Sequence, residues 1–159
     1  MVDPQKQYVR ELFDKFSYLA TWLPGVPLRV GDVGVMRDGY FQRLSSLENL
    51  GLTFTVRQDD VGTQLDYASR GAVSVSFKAA GAIPPYGSVL AEASAGVVIR
   101  MNRENAVLFQ VLGASFPSIE DQLGLEHEIR RRHAAGEWNT DHLVVTEVLQ
   151  ARSATILIA

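Results

Sequence analysis

The sequence predicts an α+β fold: a mainly antiparallel, twisted sheet with an amphipathic N-terminal helix and a second helix near residues 119–135. Apolar residues recur at helical spacing in both helical segments, and short β-forming runs separated by turn residues fill the chain between them. Strands grouped between two helices are typical of α+β folds rather than of alternating βαβ units. The 159 residues are expected to form one domain, 1–159, with a sizeable core.

The first helix is predicted to begin at Asp3-Pro4. Asp3 is a good N-cap, and proline suits the first helical position because the amide hydrogen that it lacks has no partner within a helix. The helix is expected to end at Pro24-Gly25. The residues predicted to face the core are Val9, Leu12, Phe13, Phe16 and Ala20.

Strands and turns are predicted for the middle of the chain. Asp38-Gly39 separates two extended runs and is a strong hairpin signal. Residues 46–51 are predicted as one short helical turn that a glycine ends. The next predicted elements are a strand at 52–58, a turn at 59–62, an alternating strand segment at 66–82, a loop at 83–87, and two strands within 89–116 joined by a turn at 102–105.

A second helix is predicted to begin at Ser118 and Asp121, which form a capping-box-like pattern with Asp in place of Glu. Gly136 suits the position just after its end. Arg130, Arg131 and Arg132 complement the negative end of the helix dipole. The residues expected to face the core are Leu123, Leu125 and Ile129. Residues 141–150 and 154–159 are predicted as strands.

Composition excludes several classes of function. The net charge of −3 gives no general attraction to nucleic acid or to anionic lipid, although a local basic patch can still bind either. The absence of cysteine excludes disulfides, thiolate catalysis and cysteine-ligated zinc. The N-terminus is charged throughout and lacks the apolar region of a signal peptide, and no window approaches the roughly 18 apolar residues of a transmembrane helix. We expect a cytoplasmic protein that reaches the inner face of a membrane only through its surface or after a change of shape.

The sequence contains no catalytic, metal or cofactor motif. His127 and His133 are six positions apart on one helix, so they do not share a face, and the string HEIRRRH is not HExxH. Asp59 and Asp60 are interpreted as turn formers rather than as paired catalytic carboxylates. No serine lies in GxSxG, and no glycines form a phosphate-binding loop. The protein is therefore predicted not to be an enzyme and to use no cofactor or metal.

The segment DHLVVTEVLQ, residues 141–150, resembles a strand in the amino-terminal domain of gasdermins. In that family an arginine-containing helix leads into a Tyr-Val-Val-Thr-Glu-Val run, and here IRRRHAAGEWNTDHLVVTEVLQA contains both parts in that order. The close match covers the quoted segment. The order of elements along nearly the whole chain is also similar to that family, more loosely. This order is an amphipathic N-terminal helix, a hairpin, a Leu-x-x-Leu turn at 47–50 and then long strands.

The resemblance implies a membrane-directed, pore-forming protein of cell death or antiviral defence. Proteolysis of a repressing segment then allows membrane-bound subunits to oligomerise and alternating segments to become barrel hairpins. The implied partners are anionic membrane lipids, further copies of the chain and an activating protease; no nucleic acid is expected. Residues 72–80 and 89–99 have the alternation of a transmembrane β-strand of about 9–11 residues, although serine and alanine replace larger lipid-facing residues. A soluble, half-exposed sheet is the alternative.

Two departures from the gasdermin pattern leave other readings open. Gasdermins continue beyond this strand into a second membrane hairpin, whereas this sequence ends at Ala159, and bacterial members are typically lipidated on an N-terminal cysteine that is absent here. The chain is then a truncated form, a reduced relative with another purpose, or a subunit that needs a partner. The alternative function is a soluble, non-enzymatic interaction module that uses an exposed sheet edge or the Pro84-Pro85 loop.

Nine residues are candidates for membrane binding. They are Lys6, Arg10 and Lys15 on the first helix, Arg37, Tyr40 and Phe41 at the hairpin tip 36–41, and Arg130, Arg131 and Arg132 on the second helix. Each basic residue near an anionic surface contributes about 1 kcal/mol, and aromatic residues beside a cation suit the headgroup region. The alternative for the three arginines is that they only complement their own helix and neighbouring acids.

Glu147 interrupts the β-forming run at 141–150. Period-two alternation places Glu147 on one face with Val145 and Leu149. Neither face of the run is wholly apolar, so Glu147 is expected either at a sheet edge or beside a cationic partner.

Overall fold

The computed structural model describes residues 3–21, 27–58, 63–77 and 97–159. These residues form two helices, Pro4–Phe16 (α1) and Gln122–Ala134 (α2). Their strands are Asp32–Arg37 (β1), Tyr40–Ser46 (β2), Val56–Arg57 (β3), Thr63–Ala68 (β4), Val73–Phe77 (β5), Val97–Met101 (β6), Val107–Ala114 (β7), Ser118–Ile119 (β8), Leu143–Val144 (β9) and Ser153–Ile158 (β10). Every pairing among these strands is antiparallel, which confirms the predicted α+β class.

The chain divides into two compact units, and neither is contiguous in sequence. Unit 1 comprises Met1–Pro24, Val61–Ala114 and Ala151–Ala159, and unit 2 comprises Gly25–Asp60 and Ser115–Gln150. Unit 1 contains α1, β4 to β7 and β10, whereas unit 2 contains β1 to β3, β8, β9 and α2. The expectation of one domain over 1–159 stays a prediction.

Helix α1 begins as predicted but ends earlier. The Asp3 carboxylate accepts a hydrogen bond from the Gln5 amide at 3.0 Å, which confirms the N-cap. Ser17 adopts a left-handed conformation with φ 59°, and its N–H donates to the Phe13 carbonyl. This left-handed residue stops the helix at Phe16, so the predicted end at Pro24-Gly25 was wrong.

The buried face of α1 also differs from the prediction. Tyr8, Val9 and Leu12 are buried, and the Phe16 ring packs against Phe109 with 5.7 Å between centroids. Phe13, expected in the core, is 53% exposed. At about 100° per residue, position 13 lies at the margin of the stripe that the buried residues define.

Unit 1 is built around β7, which lies between β10 and β4 in a three-stranded sheet. Strands β5 and β6 form a separate antiparallel pair. The turn predicted at 102–105 is present, but it joins β6 to β7 in different sheets. The core of this unit includes Ala72, Val73, Ala106 and Leu108.

Unit 2 begins with the predicted hairpin. Asp38 and Gly39 both have positive φ, 51° and 86°, as the two central residues of a type I′ turn require. The short helical turn predicted at 46–51 is present at 47–51, since Ser46 is the last residue of β2, and Gly51 ends the turn with φ 74°. The buried core cluster of unit 2 is Val33, Leu47, Leu52, Ile119 and Trp138.

Residues 141–150 do not form one regular strand. Only Leu143–Val144 is assigned to β9, which pairs with β1. The chain then changes partner: the Val145 N–H donates to the Asp32 carbonyl, whereas the Thr146 carbonyl accepts from Ile119 in β8, both at 2.8 Å. This segment therefore joins two small sheets. The Glu147 side chain is exposed, so its charge stays in contact with water.

Helix α2 ends as predicted but begins differently. The Asp121 carboxylate is itself the N-cap and accepts from the Gly124 amide at 2.8 Å, whereas Ser118 lies in β8. The predicted capping box was therefore wrong, because Ser118 was assigned the role that Asp121 fills. Gly136, with φ 76°, follows the last turn as expected.

The core-facing residues of α2 agree with the prediction only in part. Leu125 and Ile129 pack against the unit 2 core, whereas Leu123 is 64% exposed. Leu123 is two positions from Leu125, a spacing that places the two side chains on different helix faces.

The remaining predictions concern the central strands. The strand predicted at 52–58 is paired only at Val56–Arg57, and residues 69–72 separate β4 from β5. The turn at 59–62, the loop at 83–87 with Pro84-Pro85, and the segments 78–82 and 89–96 lie outside the described residues.

Candidate membrane-contact site

The three basic residues of α1 are exposed. Lys6 and Arg10 lie one turn apart, and Lys15 occupies the last turn. Arg10 Nε is 3.9 Å from Asp14, with side chains 80% and 68% exposed, so this pair contributes little to stability. All three cations are therefore open to an anionic surface.

Another charged residue of α1, Glu11, fixes the helix to the rest of unit 1. Its Oε2 accepts hydrogen bonds from Tyr67 Oη at 2.8 Å and from Ser69 Oγ at 2.5 Å, and Arg103 Nη2 lies 3.3 Å from its Oε1. The Glu11 side chain is 14% exposed. Ser69 Oγ in turn accepts from the Val107 amide at 2.9 Å, which ties the helix to β7.

Burial raises the pKa of the Glu11 carboxyl, but hydrogen bonds from Ser69, Tyr67 and Gln7 and the charge of Arg103 together hold that pKa below its ordinary value. Burial, followed by the hydrogen bond and charge of Glu11, raises the pKa of Tyr67. Glu11 is therefore a carboxylate at neutral pH and Tyr67 a neutral donor. Sequence reasoning did not identify Glu11, because Tyr67, Ser69 and Arg103 lie 56 or more positions away from it in the chain.

The hairpin tip brings its predicted residues together. The register pairs Arg37 with Tyr40 and Met36 with Phe41. Arg37 is exposed and Met36 is 40% exposed, whereas Tyr40 and Phe41 are half-buried. A Cβ atom at Gly34 would lie 2.7 Å from the Phe41 ring, so this ring packs over the glycine on the sheet face. The tip offers a cation and an aromatic, with less exposed aromatic surface than expected.

Each arginine of α2 pairs with a glutamate of the same helix. Arg130 Nη2 is 2.7 Å from Glu126, and Arg131 Nη2 is 2.7 Å from Glu128. Arg132 also binds Glu128, at 2.9 Å. Hydrogen bonds from Arg131 and then Arg132 lower the pKa of the Glu128 carboxyl to about 2. These contacts match the alternative in which the cluster complements its own acids.

Arg132 differs from its two neighbours. Its side chain is 18% exposed, against 76% for Arg130 and 64% for Arg131. Its Nη1 donates to the Leu50 carbonyl at 2.5 Å, at the end of the short helical turn 47–51. Of the three arginines, it is thus the one used to hold unit 2 together.

Replacing Arg132 by alanine is expected to lower the free energy of unfolding by about 1–3 kcal/mol, because the Leu50 carbonyl and Glu128 each lose a charged donor. Arg130→Ala is the matched control and should change it by less than about 0.5 kcal/mol. Urea unfolding followed by circular dichroism measures both. Equal effects would contradict the structural role of Arg132.

Comparisons with known proteins add no relative. No protein-family model matches the chain, and neither a curated protein nor a solved structure matches it. Within the described ranges, no helix is both long enough and apolar enough to cross a membrane. The same ranges contain no group of three histidine, aspartate or glutamate residues placed to hold a metal ion.

Proposed function

We propose that this protein is a gasdermin-like, membrane-directed protein that forms pores in anionic membranes during cell death or defence. The observation that carries the proposal is the antiparallel pair β5–β6. Its register pairs Val73 with Met101 and Val75 with Ile99, and between them it pairs Ser74 with Arg100. Apolar pairs thus alternate with pairs that contain a serine, the second of which joins Ser76 to Val98, and this is the period that a membrane-spanning hairpin requires.

Strands β5 and β6 must become longer before they can span a membrane. Val73–Phe77 and Val97–Met101 have five residues each, whereas a tilted transmembrane strand needs about 9–11. Residues 78–96 join the two strands and supply the chain for longer ones. One hairpin leaves unpaired edges in lipid, so several copies have to close a barrel. Self-association on the membrane is therefore part of the proposal.

The first test is leakage of dye from phosphatidylserine vesicles, with the intact chain and with the chain after limited proteolysis. Because the protein contains no cysteine, single cysteines at positions 74, 75, 76 and 77 can each carry an environment-sensitive fluorophore. We expect leakage and a fluorescence increase that alternates with period two along these positions. No leakage in either form, or a uniform response, would overturn pore formation by this hairpin.

We expect the cations of α1 to contribute most to binding at the membrane surface. Replacing Lys6 and Arg10 by glutamine should weaken vesicle binding about thirtyfold, since each basic residue contributes about 1 kcal/mol. Replacing Arg130 and Arg131 by glutamine removes the same charge but should have a smaller effect, because Glu126 and Glu128 already offset these arginines.

Co-sedimentation with phosphatidylserine vesicles measures both double variants. Arg132 stays unchanged in each, so that a loss of binding is not a loss of the fold. Wild-type binding by the Lys6 and Arg10 variant would remove α1 as the contact surface.

A further inference from the structure

Strand β10 is an open edge of the three-stranded sheet of unit 1. It pairs with β7 on one side, and within the described ranges no strand pairs with it on the other. The Ala159 N–H donates to the Ala106 carbonyl at 3.1 Å, and the backbone groups of successive residues in an antiparallel strand point to opposite sides. Ala154, Ile156 and Ile158 therefore direct their N–H and C=O groups away from β7.

This edge lacks the features that usually protect an edge strand. Charged side chains, prolines and bulges are the common means by which proteins prevent an added strand from pairing. Strand β10, Ser153–Ile158, has no charged residue and no proline, and it pairs with β7 in one continuous register. Strands β2 and β4 also end sheets and have six or more residues, but they contain Arg43 and Asp66, and their pairings have register shifts. Of these three long edges, β10 is thus the one open to an added strand.

The sequence of β10 is complementary to itself. A two-fold axis through Ile156 sets two identical strands antiparallel, with Ile156 opposite its own copy and Ala154 opposite Ile158 of the second copy. The backbone groups of these residues point outward, so both are hydrogen-bonded pairs. The small Ala154 then faces a larger side chain, and Thr155 faces Leu157, which is 37% exposed. A charged residue on the axis would meet a like charge, and Ile156 avoids this.

We propose that β10 binds β10 of a second copy of this chain, antiparallel and centred on Ile156. The dimer joins the two copies of the unit 1 sheet into one continuous sheet. Stable interfaces use about 20–30 residues a side, whereas β10 has six, so we expect a reversible dimer with a Kd on the order of 100 µM. This dimer forms in solution without lipid, so the proposal does not rest on pore formation.

Sedimentation equilibrium of the full chain in lipid-free buffer tests the dimer. We expect the mean molecular mass to rise toward that of a dimer between about 10 µM and 1 mM. Ala154→Pro removes an outward N–H that bonds to nothing in the described part of the chain, so it should weaken dimerisation about tenfold or more and leave the fold intact. Ala154→Val is the matched control, because it keeps this N–H, and it should dimerise as the wild type does. A wild type that stays monomeric over this range, or equal dimerisation by the two variants, overturns the proposal.

Cysteine cross-linking tests the register, because the chain has no cysteine of its own. In Ile156→Cys the two thiols lie opposite each other, with about 5.5 Å between Cα atoms, a distance that a disulfide spans. In Ser153→Cys, the control, the two cysteines of the dimer are roughly 20 Å apart. Mild oxidation should cross-link Ile156→Cys about tenfold faster or more than Ser153→Cys, because pairing raises the effective thiol concentration. Equal rates for the two variants rule out pairing centred on Ile156.

Discussion

Replacing Glu11 by alanine is expected to lower the free energy of unfolding by about 2–4 kcal/mol. The carboxylate is the shared acceptor for Tyr67 and Ser69 and the partner of Arg103, and alanine leaves these groups around a gap. A hydrogen bond to a charged group contributes roughly 1.5–3 kcal/mol, and bonds that share one acceptor are not additive. Urea unfolding monitored by circular dichroism measures the loss. A change within about 0.5 kcal/mol would contradict the anchoring role of Glu11.

Glu11→Gln removes the charge of the side chain but keeps its shape. The effect of this substitution on stability should depend on pH. The folded-state pKa of Glu11 lies below the ordinary value of 4.5. The ionised network therefore stabilises the fold fully above the unfolded-state pKa, and this contribution is lost as the pH falls through the folded-state value. The stability difference between wild type and Glu11→Gln should be constant near neutral pH and shrink in acid. A difference that does not vary with pH would show that the charge has no part in it.

Gly31→Ala is expected to lower the free energy of unfolding by about 2–4 kcal/mol. Gly31 has φ +91°, a conformation that side chains rarely adopt, and an added Cβ would run into the ring of Phe54. Its N–H donates to the Val145 carbonyl and its carbonyl accepts from Leu47, both at 2.8 Å, so the backbone is held where it is. Thermal unfolding should show a clear drop in Tm.

Gly39→Ala is the control for this effect. Gly39 also has a positive φ, +86°, but an added Cβ there meets nothing within 4 Å. Gly39→Ala should therefore lower the free energy of unfolding only by about 1 kcal/mol, which is the cost of a left-handed backbone conformation for a residue with a Cβ. If the two alanine variants were equally unstable, the contact between Gly31 and Phe54 would have no energetic weight.

Local features of the fold were predictable from sequence. The Asp3 cap, the Asp38-Gly39 turn and the glycine after α2 each depend on residues that are neighbours in the chain. The end of α1 was not predictable, because Ser17 adopts the left-handed conformation without a glycine or proline signal. Phe13 followed the helical period but lies at the margin of the buried stripe.

Features that depend on distant residues were missed. The Glu11 network joins positions up to 92 apart in sequence, to Arg103, and a single sequence does not show such a pairing. For the same reason, residues 141–150 were predicted as one uninterrupted strand, whereas in the structure they change their hydrogen-bond partner. The candidate cations of α1 are exposed, and their role in membrane binding stays a prediction. The sequence did not distinguish Arg132 from Arg130 and Arg131.

The pairing of Val33 with Val144 has a consequence for biosynthesis. At about 5–20 residues per second, the ribosome needs roughly 5–20 s to make the chain between them. A hairpin such as β1–β2 forms in microseconds, so it waits through that interval with one edge open. We expect chaperones to bind the nascent chain during that interval. A chain cut before position 143 keeps that open edge permanently and is expected to aggregate.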